Sequence, residues 1–232
     1  MADPLDYSKV EKRPQAISRA MEDYLKTIYQ QVSHDGRIST SKLAEAMTCS
    51  PASVTNMLQK LSDLTLVEYT PYQGVSMTPA GARIALEIIR HHRLLELYLS
   101  EILGYTWDKV HAEADRLEHV ISEEFEEKID EALGRPSKDP HGHPIPTKDG
   151  KIDLKHAATL WEVAEGQTVL VQRVSDRDPE VLRYLASIGI YPEVTIEVVK
   201  RSPFNGPLYV QVKGEEHGLS EELAQQINVA EP

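Results

Sequence analysis

The sequence predicts an α+β protein: a helix-turn-helix with a β wing, a pair of long helices, and a small β-barrel. Three observations carry that expectation. Two short helical segments meet at Thr48-Cys49 and are followed by a Gly74-centred hairpin. Residues 80–103 and 107–133 keep a helical apolar period on either side of Gly104. Beyond Ala158 the apolar period shifts from 3.6 towards 2.

The elements follow in chain order. Residues 1–16 mix charges with Pro4 and Pro14 and carry no apolar period, so a mobile arm is expected. From Met21, Tyr24, Leu25, Ile28, Tyr29 and Val32 line one helix face, with Asp23 at its start, where a carboxylate suits the helix dipole. Ser39–Met47 reads as a short helix with Leu43 and Met47 inward. In the next helix Ser50 is a good N-cap and Pro51 fits the first position. Val54, Met57, Leu58 and Leu61 face inward, leaving Ser53, Asn56, Gln59 and Lys60 outward. Leu66–Thr70 and Val75–Thr78 form the wing, and Thr78-Pro79 caps the long helix that follows.

The long pair carries Ile84, Ile88, Leu95, Leu99 and Ile102 on one helix and Val110, Leu117, Ile121, Phe125 and Ile129 on the other. That is more apolar surface than one small domain covers, which suits a homodimer interface. Residues 136–155 form a linker in which His141 and His143 invite a metal reading but, set between prolines in an extended loop, better fit a turn. The barrel, about seventy residues, draws strands from Thr168–Val174, Val194–Val199 and Leu208–Val212. Asp178-Pro179 caps a helix closed by Gly189, and Ser220 starts a last short one. The expected domains are residues 17–86, 87–150 and 156–232.

Composition narrows the function. At 232 residues, with 41% hydrophobic and 27% charged, the chain fits a soluble globular protein. Charges punctuate every apolar run, so no membrane span is expected. The first residues lack a basic-then-apolar signal, and the single Cys49 excludes an intramolecular disulfide; a cytoplasmic home follows as an expectation. The net charge of −12 argues against nucleic acid until its distribution is read. Residues 1–90 carry ten cations and ten anions, so the deficit lies in the remaining 15 Lys/Arg and 27 Asp/Glu. The outward face of the second short helix then suits DNA. Asn56 can pair with adenine, Ser50 and Thr55 can reach bases or phosphate, and Pro51 and Ala52 can meet a thymine methyl. Ser53 shares that face, and Lys60 is the helix's one cation, so a firm grip on phosphate implies a dimer, more than one dimer per site, or a switch that adds affinity.

The acidic half holds the chemistry. In Val110–His119, His111, Asp115, Glu118 and His119 fall within about a third of a helix circumference, beside an apolar stripe. Half-buried carboxylates and imidazoles need a partner, and a divalent metal takes both kinds of donor. His92 and Glu96, at i and i+4, repeat the pattern on the preceding helix. Ordinary His–Glu hydrogen bonds on a solvated stripe are the plain alternative for either cluster alone.

The segments Asp23–Tyr29, His92–Glu96, Lys109–His119 and Asp139–Pro146 together resemble the DtxR/MntR family of metal-dependent transcriptional repressors. The resemblance covers nearly everything beyond residue 16 and makes the C-terminal segment similar to an SH3-like or FeoA-like domain. It implies one metal site from Asp23, Asp115, Glu118 and His119, and a second from His92, Glu96 and His111. The barrel helix would complete the second site through Asp178 or Glu180, although Asp178 is also an obvious N-cap. Iron-type members carry methionine and cysteine where Asp23 and Asp115 stand, so hard oxygen replaces soft sulfur and Mn²⁺ is expected, with Fe²⁺ as the other candidate. Lys26 stands where manganese members often carry glutamate, which favours two separated sites over one closely spaced pair. The implied function is a metal-dependent repressor of metal-homeostasis genes, a homodimer on a palindromic double-stranded operator, with no small-molecule substrate. Two rivals remain: a metallohydrolase built on the same cluster, although no nucleophile motif accompanies it, and a metal-binding transporter adaptor.

Overall fold

In the computed structural model, residues 17–32, 36–152, 157–204 and 206–231 are described. The expected arm, 1–16, lies outside them. The chain divides into two compact units, Met1–Ala85 and Leu86–Pro232.

The first unit is built on three helices and a wing: α1 (Arg19–Gln31), α2 (Thr40–Ala46), α3 (Pro51–Asp63), β1 (Val67–Thr70) and β2 (Gly74–Met77). The Ser39 hydroxyl accepts from Lys42 N and starts α2; the Ser50 hydroxyl accepts from Ser53 N, with Pro51 at the first position of α3. Leu25, Ile28, Leu43, Val54, Leu58 and Leu61 are fully buried around one core. The wing strands pair antiparallel from Val67↔Met77 to Thr70↔Gly74. Gly74 has φ +85°, and a Cβ there would lie 2.4 Å from the Ile38 carbonyl oxygen, so no other residue fits where the wing bridges to Ile38 through Val75. Helix α1 begins at Arg19, earlier than the apolar pattern indicates, which puts Glu22 in its first turn and Asp23 beyond it.

Helix α4 (Pro79–Glu101) starts in the first unit, where the Thr78 hydroxyl accepts from Gly81 N, and continues into the second. The expected helix over 107–133 is two: α5 (Val110–Leu117) and α6 (Glu123–Ala132). Ser122 ends the continuity, because its hydroxyl accepts from Phe125 N and caps α6. Leu117, Ile121 and Phe125 keep a helical spacing across the break, and neither glycine nor proline marks it. Leu94, Leu95, Val110, Ala114 and Ile129 form the shared core of these helices.

The C-terminal part folds as β3 (Ala158–Thr159), β4 (Thr168–Val174), α7 (Pro179–Ser187), β5 (Thr195–Arg201), β6 (Leu208–Val212), β7 (Glu215–Leu219), α8 (Glu221–Ala224) and β8 (Ile227–Ala230). The strands make one antiparallel sheet in the order β3-β8-β4-β5-β6-β7. The barrel expected from the sequence is therefore not closed among the described residues: β3 and β7 are its two edges. Bulges at Val171/Arg173 and Val198/Lys200 curl the sheet around Val171, Leu182, Leu185, Ile196, Val210 and Ile227. Trp107, from the stretch before α5, packs against this same core.

Candidate metal centre

Helical spacing places His92 and Glu96 one above the other on α4, 4% and 0% exposed. His92 Nε2 lies 2.9 Å from Glu96 Oε1 and 3.0 Å from His111 Nδ1, and that His111 nitrogen lies 3.2 Å from the same Glu96 oxygen. The other face of the His92 ring meets the α5 end: Nδ1 lies 2.5 Å from Glu118 Oε2 and 3.3 Å from Asp115 Oδ1. His119 Nε2 stands 3.4 Å from Glu118 Oε1. His92 thus borders two ligand groups, one with Glu96 and His111 and one with Asp115 and Glu118.

The linker and the sheet add a third side. Asp139 Oδ1 accepts from His141 N at 2.8 Å and His143 N at 2.9 Å, which tightens the turn and leaves Oδ2 facing inward. His141 is fully buried; its Nε2 donates to the Trp107 carbonyl at 2.8 Å, which turns Nδ1 towards Glu96 Oε2, 3.7 Å away. From the loop after β4, Asp176 Oδ2 comes within 3.7 Å of His111 Nδ1 and 3.8 Å of His143 Nδ1. Gly142 permits this approach: with φ +88°, a Cβ there would lie 2.1 Å from the Gln172 carbonyl oxygen.

The donors fit a metal better than they fit one another. Glu96 Oε2, Asp139 Oδ2, His141 Nδ1 and His143 Nδ1 are buried without a hydrogen-bond partner, a costly state for polar atoms. Asp139 Oδ2 and His143 Nδ1 are 3.3 Å apart but misaligned for a hydrogen bond. Burial alone would raise the Glu96 carboxyl; the imidazoles of His92, His111 and His141 outweigh it and hold Glu96 well below the ordinary carboxylate value. Burial likewise works against charging His141, but the Glu96, Asp139 and Asp176 carboxylates bring it up to about 9. Asp176 is held low because His143, His111 and His141 overcome its desolvation and the repulsion of Glu96. Nitrogen and oxygen donors of this kind suit a divalent cation.

Three family models match the chain in series. These are the iron dependent repressor N-terminal DNA binding domain over residues 16–75, the iron dependent repressor metal binding and dimerisation domain over 78–147, and the FeoA domain over 158–231. The iron-dependent repressor IdeR of Mycobacterium leprae is 28% identical over 224 residues, 90% of this chain and 95% of its own. Among solved structures, a manganese-dependent transcriptional repressor in complex with manganese is 40% identical, with a TM-score of 0.85, over 91% of this chain and all of its own. The cadmium-bound repressor ScaR is 35% identical, with a TM-score of 0.80, over 91% and 99%. The chain belongs to the DtxR family of metal-dependent transcriptional repressors.

As a DtxR-family repressor it binds DNA and dimerises, and its family is not one of enzymes. Among the described residues, no helix is long and apolar enough to cross a membrane. On α3 the residues expected to meet DNA, Ser50, Pro51, Ala52, Ser53, Thr55, Asn56 and Lys60, are all exposed. Ser50 and Ser53 share a hydroxyl contact at 2.9 Å, and the Thr55 hydroxyl donates to the Pro51 carbonyl at 2.9 Å.

Asp115, Glu118, His119, His92, Glu96 and His111 gather in the second unit as expected from the sequence, whereas Asp23 belongs to the first. Asp178 and Glu180 do not enter the cluster. Asp178 accepts from Glu180 N as the cap of α7, and the Glu180 side chain is 88% exposed beside Arg183. The sheet contributes Asp176 instead, two residues upstream, where no cap competes for the carboxylate. His141 and His143 occupy the expected turn and also face the cluster. The alternation His141-x-His143 after Asp139 was the signal available; for Asp176 no pattern in the sequence points inward.

Proposed function

We propose that this repressor responds to manganese, with Fe²⁺ as a second admissible ion, and that as a homodimer it represses metal-handling genes in the cytoplasm. The observation that carries this is the donor set: every group converging in the second unit offers nitrogen or oxygen, and four of those atoms are buried without a hydrogen-bond partner. Sulfur, which would favour later transition metals, is missing from these groups, and Cys49 lies instead between α2 and α3. The manganese-dependent repressor that is 40% identical supports the same choice.

One ion would be held by Glu96, His141 and Asp176, with His111, Asp139 and His143 around it, another by Asp115, Glu118 and His119, and His92 would serve as a ligand at the border of the two. Asp23 is assigned to the second group on the resemblance of its motif alone. When bound, the ion would add positive charge among these carboxylates. The chain does the rest: α4 and α5 hold the donors, exposed Ile102, Leu103, Val120 and Phe125 supply apolar surface for a second copy, and α3 presents Asn56 and its neighbours to DNA. Two such heads on a palindromic operator require half-sites about 34–36 Å apart. An ion that favours the DNA-competent form about 100-fold contributes roughly 2.7 kcal/mol, enough to switch an operator.

The test is a gel shift with promoter DNA in chelator, Mn²⁺ or Fe²⁺. Wild type shifts DNA only with metal, at lower Mn²⁺ than Fe²⁺, and Asp115→Ala or Glu118→Ala abolishes that dependence while leaving the dimer intact. Equal binding in chelator, or variants that respond to Mn²⁺ like wild type, overturns the proposal.

A further inference from the structure

We infer that His91 is a positioning residue: it fixes the metal-facing carboxylate of Glu118 by holding that residue's backbone, and is itself braced by Glu126 and Arg90. The inference rests on the proposed ligand role of Glu118. His91 is 1% exposed and takes no part in the ligand groups described above. Its Nδ1 lies 3.0 Å from the Glu118 carbonyl oxygen and its Nε2 lies 3.1 Å from Glu126 Oε2. The second Glu126 oxygen accepts from Arg90 Nε at 2.6 Å. Arg90 in turn reaches Asp130 at 3.0 Å and the Pro146 carbonyl at 2.8 Å.

The location gives this chain of contacts its meaning. Glu118 is the C-cap of α5, and the last carbonyls of a helix have no partner within it. From there the backbone passes through residues 119–121 before Ser122 opens α6, with neither proline nor glycine to set its path. Successive residues on α4 project about 100° apart, so His91 and His92 approach Glu118 from different directions. His92 meets the carboxylate at 2.5 Å and His91 the carbonyl at 3.0 Å. With both ends of the residue held, its side-chain torsions have little freedom, and the carboxylate and the adjoining His119 are presented in one geometry. The imidazole extends the buried Arg90–Glu126 pair to the backbone of Glu118.

The experiment uses the full-length protein and compares His91→Asn, whose amide N–H takes the place of Nδ1 and can still reach the carbonyl, with His91→Gln, whose amide takes the place of Nε2 and faces Glu126 instead. Glu126→Gln is the second variant, and Glu118→Gln is the reference. Mn²⁺ binding is followed by the electron paramagnetic resonance of free Mn²⁺, and thermal unfolding is measured separately in chelator. His91→Gln is expected to weaken the Glu118-dependent class of sites about 10–100-fold, the range for losing an outer-shell partner, and to leave the other class unchanged. His91→Asn should retain most of the affinity and Glu126→Gln should lie between the two. If His91→Gln lowers the unfolding temperature but binds Mn²⁺ like wild type, or if Gln and Asn weaken binding equally, His91 does not position Glu118. If Glu118→Gln itself binds like wild type, the ligand assignment fails first and this inference with it. Should His91→Gln not fold, Glu126→Gln decides: wild-type Mn²⁺ affinity in that variant overturns the inference.

Discussion

His92 and Glu118 meet at 2.5 Å across α4 and the end of α5, while the opposite nitrogen of the same ring faces Glu96 and His111. One imidazole therefore stands between two groups of candidate ligands, and its loss should be felt by both. His92→Ala is expected to reduce Mn²⁺ affinity in both classes of site, by more than the roughly 10–100-fold that an outer-shell change costs. Asp115→Ala should affect one class only. Equilibrium dialysis resolving two classes checks this; a His92 variant that loses one class alone contradicts it.

Metal binding should release a proton. In the metal-free protein His141 is brought up to about 9, because nearby Glu96, Asp139 and Asp176 overcome the burial that would lower it. A pKa raised above the unfolded value of about 6.5 contributes stability that is complete below that pH and is lost as pH rises through about 9. The metal needs the unprotonated ring, so apparent Mn²⁺ affinity should rise with pH by about tenfold per unit from this proton, levelling near pH 9. Calorimetric titrations in buffers of different ionisation enthalpy count that proton, and His141→Gln should remove it.

Gly142→Ala should be poorly tolerated. A methyl group there would meet the Gln172 carbonyl at 2.1 Å from a backbone at φ +88°. The conformation alone costs about 1–3 kcal/mol in a residue other than glycine, and relief of the clash moves the turn that carries His141. Chemical denaturation should show a loss of about 2 kcal/mol or more, and the His141 site should weaken with it. An unchanged unfolding midpoint would refute the tight approach.

Two α3 substitutions should separate base reading from phosphate grip. Asn56→Ala is expected to cost about 1–3 kcal/mol on the preferred operator and little on unrelated DNA. Lys60→Ala should weaken both alike and reduce the salt slope by about one per subunit. Fluorescence anisotropy across a salt series reads both effects, and identical behaviour of the two variants would remove Asn56 from the reading surface.

Local chemistry in the chain itself determined much of this protein. Ser50-Pro51 starts α3, Thr78-Pro79 starts α4 and Asp178-Pro179 starts α7, since a cap and a preset φ act over three or four residues. His92 with Glu96, and His111 with Asp115, were legible as candidate ligand pairs because helical spacing alone puts i and i+4 on one face. The break between α5 and α6 was not legible, because Leu117, Ile121 and Phe125 keep the period across it. Nor was the choice of Asp176 over Asp178 and Glu180. Which carboxylate near the start of α7 turns inward depends on the path of the loop after β4, and that path follows from sheet packing and from the Gly142 turn seated against Gln172. The brace from Arg90 through Glu126 and His91 to Glu118 likewise joins residues up to 36 positions apart. Periodicity records which face of an element is buried; which partner waits there is decided only when the elements pack.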